Sequence, residues 1–124
     1  MAAADRFIAV VDDDTSILKA LERLLSTRSW ATKTFRSGVL FLESLKDELP
    51  DCLILDLHMP EMSGLEVQQT LASRGIEIPT IIITSNTDAA MRERCMVAGA
   101  VAYLPKPVRR AELFIAIDAA RGRS

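Results

Sequence analysis

The residues best suited to chemistry follow short apolar runs. Asp12, Asp13 and Asp14 come directly after Phe7 to Val11, and Asp56 comes after Cys52 to Leu55. Thr84 and Ser85 come after Thr80 to Ile83, and Lys106 stands just beyond Val101 to Leu104. Each has an ordinary explanation when taken alone. An Asp after a strand is often a helix N-cap, and that is the role assigned mainly to Asp14. Thr84 suits a β-branched strand position, and Lys106 suits a solvated loop. Taken together, four apolar runs that each deliver a polar group point to one shared rim.

Carboxylates gathered on such a rim need a partner. Two of them about 4 Å apart repel by about 4 kcal/mol at an effective dielectric of 20. A hard divalent cation removes that cost, and Mg²⁺ prefers one or two carboxylates with waters and phosphate oxygens. Zinc would call for His or Cys donors. A carboxylate beside Mg²⁺ can act as a nucleophile toward phosphorus and form an aspartyl phosphate. The metal then takes charge from one phosphoryl oxygen. Lys106 is placed to bind another through a charge-assisted bond, and the hydroxyl of Thr84 a third. Phosphoryl transfer is catalysed mostly by positioning and electrostatics, so this set suffices.

The elements that must position these groups are legible in outline. Phe7 to Val11, Cys52 to Leu55 and Thr80 to Ile83 are nearly continuous Val, Ile and Leu, as strands buried on both faces are. Ala31 to Phe35 alternates with Thr32 and Thr34 and reads as a half-exposed edge strand. Between the runs lie helical patterns. Ile17, Leu21, Leu24, Leu25 and Arg28 fall on one face, with Leu18 beside them. Val39 to Leu45 forms a short second helix after a Ser37-Gly38 turn. Ser63 and Glu66 have capping-box spacing for a third. Asp88 can cap a fourth, with Gly99 at its C-terminal end. Glu112 to Ala120 is the fifth, with Leu113, Ile117 and Ala120 inward. Pro60, Pro79, Pro105 and Pro107 fall in or beside loops. Alternating strands and helices predict a parallel sheet covered on both faces by right-handed crossovers. Ligands of such sheets sit beyond the carboxyl ends of the strands, where strand order reverses.

Composition narrows the function classes. The 124 residues fit one domain, 1–124, with 49% hydrophobic and 26% charged residues, enough apolar material for a core. The net charge of −2 gives no basic field, so neither direct nucleic-acid binding nor membrane binding is expected. The apolar runs are too short to span a bilayer. Met1 to Arg6 lacks a basic region followed by an apolar stretch, so no secretion signal is read and a cytoplasmic protein is expected. Cys52 and Cys95 have no metal-ligand spacing and are read as reduced, small hydrophobes.

At the level of motifs, the chain resembles the receiver domains of two-component signalling. Val10-Val11-Asp12-Asp13-Asp14, Leu55-Asp56-Leu57-His58-Met59-Pro60-Glu61-Met62-Ser63-Gly64, Ile83-Thr84-Ser85 and Lys106-Pro107 match its signatures in order and spacing. The resemblance implies a flavodoxin-like (βα)5 doubly wound fold with strand order 2-1-3-4-5. It implies Asp56 as phosphoacceptor, Asp13 as a direct Mg²⁺ ligand with Asp12 acting through water, and the backbone carbonyl of His58 as a further ligand. It implies that Thr84 and Lys106 bind the phosphoryl group and that Tyr103 is the aromatic switch residue. The Lys106-Pro107 bond matches one that is often cis in the family. The implied partners are a sensor histidine kinase or phosphotransfer protein. The face of helix 4, strand 5 and helix 5 is the implied surface for output or a homodimer. Position 108 is Val where the family often has Phe, and His58 and Asn86 occupy variable positions that tune dephosphorylation. The wording is most like receivers that precede LuxR-type outputs. No output follows here, and composition leaves open a stand-alone receiver or one excised from a longer regulator.

Three other readings compete. Asp12 to Ser16 is close to the nucleophile motif of haloacid-dehalogenase-like phosphatases, but Ser16 departs from it and a late acidic pair is missing. A phosphorylation-independent interaction module would be expected to have lost some site residues. A flavodoxin-like cofactor binder would need a Gly/Ser/Thr-rich phosphate loop after strand 1, where acids stand instead.

Overall fold

Strands and helices alternate strictly along the chain, whose residues 6–85 and 88–122 are described by the computed structural model. The elements are β1 Ile8–Val11, α1 Thr15–Ser26, β2 Thr32–Phe35, α2 Gly38–Ser44 and β3 Cys52–Asp56. They continue with α3 Gly64–Ser73, β4 Thr80–Thr84, α4 Ala89–Val97, β5 Ala100–Pro105 and α5 Arg110–Arg121. The sheet has the order β2-β1-β3-β4-β5, and every pairing is parallel. The flavodoxin-like (βα)5 topology expected from the sequence is therefore the one found. Order reverses between β1 and β3, which puts the crevice at the ends of those two strands.

Two apolar layers hold the sheet, one on each side. Alternate residues of a strand point to opposite faces. Ala9, Val11, Leu53, Leu55 and Ile82 meet Phe41 of α2, Leu71 of α3 and Cys95 of α4. Ile8, Val10, Ile54, Ile81 and Ile83 meet Leu21 and Leu25 of α1 and Leu113 and Ile117 of α5. This is why β1, β3 and β4 are apolar at nearly every position: all their residues are buried. β2 lies at the edge, as expected, but its burial does not alternate: Thr32 and Phe35 are partly buried while Lys33 and Thr34 are exposed.

Helix caps follow the sequence closely. Asp14 accepts from the Ser16 amide at 2.9 Å, and Asp88 accepts from Ala90 at 3.0 Å. Ser63 and Glu66 form the reciprocal capping box. Gly99 takes φ +111° after α4, a conformation that suits glycine. Some details differ from expectation. Arg28 is not part of the inward face of α1, because the helix ends at Ser26. Its guanidinium instead lies over the Trp30 and Phe114 rings, 4.5 and 5.1 Å from their centroids. Ile17 and Leu24 are only partly buried. Gly38 opens α2 rather than preceding it, and Pro105 ends β5, an edge strand where a missing amide is tolerated. Asn86 lies outside the described residues.

Among the described residues no helix is long and apolar enough to cross a membrane. Both cysteines are unpaired and buried. Burial above all, with nearby Asp51 adding, pushes the Cys52 thiol up to about 12. Thiolate is the reactive form. Native protein at mildly alkaline pH should therefore resist iodoacetamide at Cys52 and Cys95, whereas denatured protein should take two labels by mass spectrometry. Rapid labelling of native Cys52 would contradict its place in the core.

Candidate functional site

The carboxyl ends of β1, β3 and β5 bring four charged side chains together. Carboxylate oxygens of Asp12, Asp13 and Asp56 lie within 4.8 Å of one another. Lys106 Nζ bridges two of these groups, 3.0 Å from Asp12 Oδ2 and 3.1 Å from Asp56 Oδ1. Asp12 is fully buried and Asp56 nearly so, while Asp13 is exposed. The position of each follows from the register. Val11 pairs with Leu55, so the residues just after β1 stand beside the last residue of β3. The backbone amide of Lys106 donates to Thr84 O at 2.8 Å, which fixes the end of β5 against the end of β4. The Lys106-Pro107 peptide bond is cis.

Electrostatics at the site run against Asp56. Burial is the largest cause of its raised pKa, followed by the charge of Asp12, and Lys106 only partly offsets them. Burial also works against the Lys106 ammonium, but its hydrogen bonds to Asp12 and Asp56 prevail and its pKa is raised. A buried carboxylate pair held by a single lysine is short of positive charge. The donor set is oxygen only, which fits Mg²⁺ and not a thiolate- or imidazole-seeking metal.

Thr84 is buried at the end of β4, the strand next to β3. Tyr103 is not part of the acidic cluster. It pairs in register with Ile82 and packs, half-buried, on the layer that covers α4. His58 is exposed, beside a groove it shares with Ser63, Glu66, Met91 and Arg94. Two features were not anticipated. The Asp14 amide donates to Asp12 Oδ1 at 2.9 Å, so Asp14 both caps α1 and orients Asp12. Its own carboxylate accepts from the Ser16 amide and hydroxyl, at 2.9 and 2.6 Å. Gly64 is the other. Its amide donates to Leu57 O at 2.8 Å, and a Cβ there would lie 2.5 Å from Asp56 O.

Lys106→Ala has a structural cost. It leaves Asp12 and Asp56 facing each other without their counter-charge. Breaking a fully buried pair costs about 3–5 kcal/mol. Lys106 keeps 20% of its side-chain surface exposed, so a loss of about 2 kcal/mol is expected in EDTA. Saturating Mg²⁺ should recover most of it. Equal melting temperatures for variant and wild type in EDTA would show that the lysine does not balance the pair.

Fold and cleft together define a doubly wound α/β module with an acidic, lysine-bearing crevice. The family model of the response regulator receiver domain matches residues 8–118, and the chain belongs to that family. It is similar to the response regulator protein TodT of Pseudomonas putida, with 42% identity over 91% of this chain and 50% of the relative. Nodulation protein W of Bradyrhizobium diazoefficiens is 38% identical over 98% of this chain and 54% of that protein. Among solved structures, FixJ-N superposes with a TM-score of 0.89 at 34% identity, covering 97% of this chain and 96% of that one. The chain spans about half the length of the curated relatives it matches. It is thus a receiver domain of the response regulators of two-component signalling, a family that generally binds Mg²⁺ in an acidic pocket.

Proposed function

We propose that Asp56 accepts a phosphoryl group from a histidine kinase or phosphotransfer protein. An Asp56 carboxylate oxygen attacks phosphorus, the P–N bond of the phosphohistidine breaks, and the imidazole nitrogen keeps the bonding pair and takes up a proton. The observation that carries this reading is the cluster of Asp12, Asp13 and Asp56 with Lys106 bridging Asp12 and Asp56. Both Asp12 oxygens already accept hydrogen bonds, one from Asp14 and one from Lys106. That favours Asp13, Asp56 and the His58 backbone carbonyl as direct Mg²⁺ ligands, with Asp12 acting through water. Bound Mg²⁺ would neutralise charge on the phosphoryl oxygens. Lys106 moves from its carboxylates to one phosphoryl oxygen, and the Thr84 hydroxyl donates to another.

The phosphoryl group adds about −1.5 to −2 charge at neutral pH. It favours whichever conformation binds it better, and Thr84 and Lys106 supply that difference from the loops after β4 and β5. Tyr103 lies on β5 between these loops and the α4–β5–α5 face, the proposed surface for output or a homodimer. The reading covers one receiver domain over residues 1–124, placed in the cytoplasm, without direct nucleic-acid contact. Its only chemistry is Mg²⁺-dependent self-phosphorylation and autodephosphorylation. Labelling by acetyl phosphate should be stoichiometric and lost in EDTA.

Tyr103→Ala separates labelling from switching. Phosphoryl uptake should stay within about twofold of wild type, because the ring is outside the cluster of charges. The phosphorylation-dependent shifts of α4 and β5 amides in NMR spectra should largely disappear. Equal loss of uptake and of the spectral response would place Tyr103 in the acceptor chemistry and refute a switching role.

A further inference from the structure

α4 is the least anchored helix of the fold. Cys95 is its only buried residue, against three for α1 and four for α5. Val97 at its end is 78% exposed. A groove of about 710 Å³ separates its C-terminal end from that of α3, lined by Leu71, Gly75, Val97 and Ala98 among others. There is room for this end of α4 to shift.

A polar contact between described residues spans the gap. Gln68 of α3 is 97% buried by its 3% exposure, and its Nε2 donates to the Cys95 backbone carbonyl at 3.1 Å. The need for that donor arises locally. Cys95 O would ordinarily accept from the Gly99 amide four residues on. Gly99, at φ +111°, turns its amide to Met96 O instead, at 3.1 Å. The side chain of Gln68 takes the place of the missing donor. Its own Oε1 is buried with no partner among the described residues. A buried glutamine in an apolar layer is held there by the hydrogen bond it makes, here to Cys95 O.

The other end of α3 begins at the acceptor. The Gly64 amide donates to Leu57 O at 2.8 Å, and Gln68 stands about one turn further along the same helix. α3 thus connects the backbone beside Asp56 to the end of α4 by a route that passes through neither Thr84 nor Tyr103.

We propose that Gln68 is a positioning residue that ties the C-terminal end of α4 to α3 and sets how far the α4–β5 face moves when Asp56 is modified. The second half of this inference rests on Asp56 being the phosphoacceptor. The test is residue-resolved amide hydrogen exchange on the full chain, wild type and Gln68→Met, before and after acetyl phosphate with Mg²⁺. Methionine keeps the length of the side chain and removes the donor.

Before phosphorylation, the Val97 to Gly99 amides of the variant should exchange about tenfold faster, the change expected from losing one buried hydrogen bond. Protection in β1 and β3 should be unchanged. After phosphorylation, the variant should show larger changes than wild type in α4 and β5, at equal phosphoryl uptake. Equal exchange at the end of α4 in both proteins would overturn the proposal. Protection lost evenly across α3, α4 and the sheet, with an unaltered response to phosphorylation, would also overturn it by reducing Gln68 to a packing residue. If Gln68→Met does not fold, Gln68→Glu removes the same donor at nearly the same volume and must show the same localised loss. If wild type takes no phosphoryl group, the acceptor reading fails along with the second half, whereas the comparison at rest still decides the tie between α3 and α4.

Discussion

Gly64→Val is expected to be the most damaging single substitution near the site. A Cβ at this position would lie 2.5 Å from Asp56 O and 3.0 Å from Leu57 Cα. Both neighbours are backbone, so no side chain can swing away. The N-terminus of α3 would have to leave the end of β3, breaking the Gly64 amide bond to Leu57 O. Overpacking of this kind costs about 1–3 kcal/mol, and more where backbone must move. The melting temperature should fall by several degrees or more. Phosphoryl uptake should slow even in the folded fraction, because the displaced backbone carries Asp56. Gly38 gives a comparison: its Cβ would meet Val67 Cγ2 at 2.6 Å and Met62 Sδ at 3.2 Å, both side-chain atoms. Gly38→Ala should therefore cost stability while leaving uptake per folded molecule near wild type. A Gly64→Val protein as stable and as active as wild type would show that the close approach is not required.

Asp56→Asn is expected to abolish phosphoryl uptake and at the same time to stabilise the fold at neutral pH. The second effect follows from the raised pKa of Asp56, caused first by burial and then by Asp12. An acid whose pKa is higher in the folded state than in the unfolded state destabilises the fold when it is ionised. That penalty is fully present above the folded pKa and vanishes below the unfolded value. Removing the charge should thus raise the melting temperature at neutral pH, and the gain should fade as pH falls through the raised pKa of Asp56. Mg²⁺ should narrow the difference, since it stabilises the wild-type cluster by binding the folded state alone. A variant less stable than wild type at neutral pH in EDTA would mean that the bond from Lys106 outweighs burial and repulsion.

Much of this architecture is legible in the chain because burial and residue type agree there. β1, β3 and β4 read as continuous apolar runs since both of their faces are covered, and the charged residues stand out because they end those runs. Caps at Asp14, Ser63 and Asp88 were readable because a short polar side chain before an apolar period satisfies free amides at a helix start. Arg28 was misplaced because helical spacing continues past Ser26 in sequence, while the chain itself turns toward Trp30. The double role of Asp14 was hidden, since one residue used its side chain for α1 and its amide for Asp12. Gly64 and Gln68 were invisible as coupling elements for a different reason. Their importance lies in distances to Leu57 and Cys95, and no local pattern encodes a contact made across a layer. The counter-charge role of Lys106 is likewise not encoded locally, since Asp12 and Asp56 meet its ammonium only across the ends of three strands.

The most direct test of the central claim is intact-protein mass spectrometry after incubation with acetyl phosphate, with Mg²⁺ or with EDTA, on wild type and Asp56→Asn. The account predicts one phosphoryl adduct on wild type with Mg²⁺, none in EDTA, and none on the variant in either condition. An adduct that survives in Asp56→Asn would move the acceptor to another carboxylate of the cluster and contradict the account. A folded wild type that binds Mg²⁺ yet takes no phosphoryl group would contradict it as well, leaving a receiver fold that signals without phosphorylation.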